Sequence, residues 1–147
     1  MIERAIRAWL LADDDVRNVL GSRVYAGFAP AEVAGPYLII SRIAYQREYH
    51  LQNECDVAVA TLQFDAYEAT QAKAWDLWEL IRSRLSGYYG EMSYLDADGT
   101  ESVYHIHAAT ILRDDMQFTA PQDASDRWTI AYSSDWRIAH TQAAPNH

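Results

Sequence analysis

Between Val57 and Leu85 the hydrophobic period of the chain changes once, from two to 3.6, and that change restricts the folds open to it. Ala58, Ala60, Leu62, Phe64 and Ala66 share one face of an extended segment, the alternation of a strand with a single apolar side. Thr70 then stands where a helix N-cap belongs. Ala74, Leu77, Trp78, Ile81 and Leu85 recur at helical spacing until Gly87 stops the run. A strand that is apolar on one side needs one cover, and the amphipathic helix after it supplies that cover. The pair predicts a sheet with its helices on one face.

The rest of the chain fits this frame. Ile2, Ile6, Trp9 and Leu10, set against Glu3, Arg4 and Arg7, predict an opening amphipathic helix. Asp13, Asp14 and Asp15 suit the positive end of a short second helix, with Val16, Val19 and Leu20 facing inward and Gly21 at its end. A short strand about Val24 and Tyr25 and a loop from Ala26 to Gly35 lead into the β-rich run Tyr37 to Ile43, which turns polar towards Tyr49. The polar stretch Gln46 to Asp56 is expected to be the arm of a long hairpin. Tyr88 to Ser102 reads as a polar loop with a turn at Asp96-Ala97-Asp98-Gly99, followed by a strand from Val103 to Leu112 and a loop closed by Pro121.

The last strand is expected from Arg127 to Ile138. Trp128, Ile130, Tyr132, Trp136 and Ile138 share one face, broken only by Ser134. Arg127, Thr129, Ala131, Ser133, Asp135 and Arg137 form the other, which suits water or a partner. The fold class is therefore α+β, a largely antiparallel four- to five-stranded sheet with one long helix packed on it and a short N-terminal helical pair. Residues 1–138 are expected to form a single domain, and residues 139–147, which lack a pattern, a mobile tail.

The balance of charge narrows the partners. Twelve basic residues against twenty-one acidic ones leave a formal net charge of −9, so a nucleic acid or an anionic membrane surface repels the chain on average. The opening stretch lacks the basic and clean apolar regions of a secretory signal, and no stretch approaches the ~20 apolar residues of a spanning helix. The single cysteine, Cys55, has no internal disulfide partner, which fits a reducing compartment.

Few residues invite a chemical reading. His105 and His107 lie two apart on a strand and point the same way, so two imidazoles could face one zinc ion, but no third ligand follows at a metal spacing. A small metal- or ligand-binding domain built on this pair is the main rival reading. Asp96 to Glu101 resembles the start of a calcium loop but meets His107 where the bidentate glutamate belongs, and a reverse turn is the simpler reading. Asp114 and Asp115 fit a solvated strand end, and Cys55 with His50 lacks an orienting third group. Trp75 and Trp78 stand at helical spacing and read as helix-sheet packing rather than a ligand cage. No catalytic residue, metal site or cofactor is expected.

Five tryptophans and ten tyrosines in 147 residues instead favour a binding surface, because these side chains bury much area at low entropic cost. The expected contact residues are Arg47, Tyr49, His50, Asn53 and Glu54 on the arm, Tyr88 and Tyr89 in the loop, and Arg127 and Arg137 on the polar face of the last strand. An adaptor that binds one peptide at a sheet edge is a further possibility.

A set of ordered fragments carries a resemblance. Met1-Ile2-Glu3 with its helix, Gly21 to Tyr25, the stretch from Ala29-Pro30 to Pro36-Tyr37, and Leu62 to Tyr67 followed by Ala69-Thr70 and the helix of Trp75 to Leu85 occur in this order. Over residues 1–138 the chain resembles the tail-completion proteins of long-tailed phages and prophages, also called tail-terminator or tail-to-head joining proteins. The resemblance implies an α+β fold and a homo-hexameric ring at the head-proximal end of the tail tube. Its partners would be the tail tube protein and a head-completion or connector protein, with DNA passing through the lumen without specific binding. It implies a place in the virion, at the tail or neck, after synthesis in the host cytoplasm, and it brings no catalytic residues. Relative to the family, Tyr88 to Ser102 is longer and more polar.

Overall fold

The computed structural model describes residues 1–30, 33, 35–49, 54–118 and 130–142, with backbone only at 45–49, 54–56 and 116–118. The chain runs α1 (Ile2–Leu11), α2 (Asp14–Leu20), β1 (Val24–Ala26), β2 (Tyr37–Tyr49), β3 (Glu54–Glu68), α3 (Gln71–Leu85), β4 (Gly90–Leu95), β5 (Glu101–Phe118) and β6 (Ile130–Gln142). Local chemistry sets the helix ends. The Asp13 carboxylate accepts from the backbone amides of Asp15 and Val16, at 3.0 and 3.2 Å, and caps α2. Thr70 does the same for α3, accepting from the Lys73 amide at 3.2 Å. Gly21 (φ +59°) and Gly87 (φ +73°) follow the helices in the left-handed conformation that a Cβ disfavours.

The six strands form one sheet in the order β1-β2-β3-β6-β5-β4. β1 pairs with β2 in parallel, Val24 opposite Leu38, and every other pair is antiparallel. α1 packs on both β1 and β4, the two ends of that order, while α3 packs on β3 and β6. The sheet therefore curls around α1, whose Ile2, Ala5, Ile6 and Leu10 join Leu62, Phe64, Trp136 and Ile138 in one core. Deep in this layer the buried Glu3 carboxylate accepts from Arg42 Nε at 2.5 Å and Nη2 at 3.2 Å. Arg84 reaches back from α3 to Asp13 (2.7 Å) and Asp15 (2.6 Å), which fixes α2 to the end of α3.

Several expectations change. The sheet has six strands rather than four or five, because Gly90–Leu95, expected as part of a loop, is β4. Its alternation rests on Met92 and Tyr94 alone, too short a pattern to stand out. The turn at Asp96 to Gly99 is present and joins β4 to β5, with Gly99 N donating to Asp96 O at 2.9 Å. β5 spans Glu101–Phe118 rather than Val103 to Leu112, since bulges between Ile106 and Ala108 and between Ile111 and Arg113 break its period of two. β6 continues past Ile138 to Gln142: His140 pairs with Ala58 on one side and Ile106 on the other, so the fold does not end at 138. Positions 127–129 of the expected strand, Arg127 among them, and 143–147 of the expected tail lie outside the described residues. Ser134 interrupts the apolar row of β6 for a reason: its hydroxyl accepts from the Trp136 indole N–H at 2.8 Å, in the core.

Candidate assembly surfaces

The sheet face turned away from the helices carries most of the polar side chains predicted for β6. Part of it is closed to water and part, Arg137 included, is open. Ser133 is fully buried and Ala131 and Ala139 nearly so, because β6 lies mid-sheet and side chains of β3 and β5 close over it. Ser133 Oγ donates to Asp65 Oδ1 at 2.5 Å, and Gln63 adds a bond to the same oxygen at 3.3 Å. Burial pushes the Asp65 carboxyl above its ordinary range, and nearby Asp135 pushes it the same way. Arg113 clamps Asp135 at 3.0 Å and Asp115 at 2.9 Å. Tyr37 and Tyr67 stack 4.6 Å apart at 9° across the neighbouring strands. These groups bond to one another, which stiffens the face.

The predicted contact residues fall in separate places. Arg47 pairs with Ala58, and Tyr49 with Glu54, at the far end of the β2–β3 hairpin; the side chains of Arg47, Tyr49 and Glu54, and all of His50, Asn53 and Arg127, lie outside the described residues. Arg137 is exposed on the helix-free face, between Thr61 and Thr110. Tyr88 turns inward: its ring packs on Trp9 at 4.7 Å and its hydroxyl donates to Glu91 O at 2.8 Å. Tyr89, 69% exposed, stands against His105 and His107 at 4.7 and 6.2 Å between ring centroids. The two imidazoles are 4.6 Å apart, as their spacing implied, and His107 Nε2 contacts Thr141 Oγ1 at 3.1 Å. Among the described residues no three histidine, cysteine, aspartate or glutamate side chains come together as a metal site.

Two features escaped the sequence. The curl brings β1 near β4, and the seam over α1 holds a cavity of about 890 Å³ lined by Arg4, Arg7, Tyr25, Phe28, Tyr94 and Leu95, among others. Phe28 and Leu95 are the most exposed large apolar side chains among the described residues. On α3, Trp75 is 45% exposed and packs on Trp78 (5.1 Å) and Tyr132 (5.5 Å), so it is only in part the packing residue its spacing implied. A smaller cavity of about 370 Å³ opens between α2 and α3 above buried Glu68, whose carboxyl burial pushes up. No described helix is long and apolar enough to cross a membrane.

The chain is thus a single curled α+β sheet with exposed aromatic side chains and an open seam over α1. Residues 4–117 match the model of the family described as Tail completion protein gp17, and the chain belongs to that family. It is a structural protein of the virion tail and not an enzyme. The fold is similar to that of a chain in the virion of a native gene transfer agent particle, at 17% identity and a TM-score of 0.64, covering 95% of this chain and 93% of that one. No curated protein matches the chain.

Proposed function

We propose that this chain closes into a ring of six subunits at the head-proximal end of the tail tube, ends tube growth and presents a surface to the head connector. Membership of the tail-completion family carries this reading. The physics agrees with it: a ring forms when a head-to-tail contact repeats with a rotation that closes, and such contacts need exposed apolar and aromatic anchors. The net charge of −9 suits a lumen through which DNA slides without sticking.

The β2–β3 hairpin serves as an arm to a neighbour. β2 and β3 still pair at Tyr49 and Glu54, beyond Ala58, where β3 has its last described partner on β6, so among the described residues no third strand pairs with the hairpin end. Arg47, Tyr49, His50, Asn53 and Glu54 are its contact residues, with Tyr89 and Arg137 on the body and Arg127 completing the set; Tyr88 supports Tyr89 from within. Deletion of the gene from its phage-like genome, followed by imaging of the lysate, tests the function: unattached heads and tails without a finished end are expected. Normal tails joined to heads would overturn it. Shortening the hairpin should spare folding and abolish joining.

A further inference from the structure

A head-to-tail ring needs two different patches on one subunit, each matched to the other. Two patches of opposite character stand on this chain. The seam over α1 sets exposed Phe28 and Leu95 beside Arg4 and Arg7, with Glu101 as the carboxylate of its lining. Arg4 reaches Asp96 only at 3.8 Å, and Arg7 donates through Nε to the Val24 carbonyl at 2.6 Å. Among the described residues, Arg7 has no carboxylate at ion-pair distance.

The second patch lies on α3 and the neighbouring strands, and it is aromatic, with the carboxylates Glu79, Asp114 and Asp115 and with Arg82, whose guanidinium stands 5.6 Å from the Trp78 ring. Half-exposed Trp75 packs on Trp78 and Tyr132, the Tyr132 hydroxyl donates to exposed Asp114 at 3.4 Å, and the Trp78 indole N–H is buried without an acceptor. Glu79 is engaged by Arg82 and Asp115 by Arg113, while Asp114 has no ion pair among the described residues. Each patch thus combines a large exposed apolar side chain with one charge, Arg7 or Asp114, that makes no ion pair among the described residues, and the two charges have opposite sign.

We propose that the seam of one copy receives the Trp75 and Asp114 patch of the next, with Arg7 facing Asp114 and Phe28 and Leu95 covering the aromatic cluster. The inference rests on the ring reading, and it adds which surfaces make the joint. Like charges set face to face weaken an association, whereas reversal of both restores the attraction. The gene-deleted genome is complemented with variants, and completed particles are counted. Arg7→Glu should lower the count at least about tenfold, Asp114→Arg should do the same, and the two together in one chain should restore it. Since Arg7 also bonds to β1, Phe28→Asp provides a second probe at an 83% exposed position, where loss of joining does not come from loss of fold. Wild-type yields from Arg7→Glu and Phe28→Asp would overturn the joint and leave the ring standing, as would losses in Arg7→Glu and Asp114→Arg that the reversal of both fails to repair. Completed particles without the gene would overturn the ring reading itself, before any variant is compared.

Discussion

Arg42→Ala isolates the interaction that seats α1 within the curled sheet. Glu3 lies in the first turn of α1 with its side chain 3% exposed, and both of its oxygens accept from the Arg42 guanidinium. Removal of one partner from a buried pair costs about 3–5 kcal/mol, because the remaining charge stays in low dielectric. Arg42 is 37% exposed, so water already reaches part of the pair and the cost should fall to about 2–3 kcal/mol. For a domain of this size each kcal/mol moves the melting midpoint by roughly 2–4 °C, which predicts a drop of about 5–10 °C. Thermal melts followed by circular dichroism, with urea titrations for the free energy, measure it. Glu3→Gln should cost less, about 1 kcal/mol, because the stranded guanidinium can turn to water. The double variant should then be less destabilised than the two single losses add up to, the mark of direct coupling. A midpoint for Arg42→Ala within about a degree of the parent would refute the reasoning, since Glu3 would then be stable in its site without its cation.

Three further outcomes follow from named side chains. His140 is 3% exposed and burial holds its imidazole below the ordinary 6.5, so the unfolded chain takes up the proton first. Its contribution is whole above pH 6.5 and is lost as pH falls through the depressed folded value; His140→Gln should flatten that part of a stability-pH curve, and an unchanged slope would sink the idea. Asp65 is shifted the other way, so its ionised form is disfavoured in the fold: Asp65→Asn should be more stable than the parent at neutral pH, with the gap closing as pH falls from the raised folded value to the ordinary 3.8, in urea titrations at several pH values. Zinc added to chelator-treated protein should leave no retained equivalent, because among the described residues no third histidine, cysteine, aspartate or glutamate joins His105 and His107 in a metal-binding group; a stoichiometric ion lost in His105→Ala/His107→Ala would revive the metal reading.

What the sequence by itself determined was local or periodic. Asp13 and Thr70 cap helices through amides two or three residues away, Gly87 ends α3 from the next turn, and Ala58 to Ala66 mark the inward face of β3; each is written in neighbouring residues. The family, too, was legible from ordered fragments spread along the chain. Tertiary structure decided the rest. β4 and the end of β6 exist because distant backbones offer hydrogen-bond partners, and a backbone partner leaves no mark on the side-chain pattern of the strand it recruits. Each bulge in β5 inserts one residue and shifts which side chains face inward, so alternation beyond it misreads the strand. The parallel pairing of Val24 with Leu38, the bond between Glu3 and Arg42 and the seam where β1 approaches β4 all join residues far apart in sequence. Their partners are chosen by the curl of the sheet around α1, a property of all six strands packed together and of no single segment.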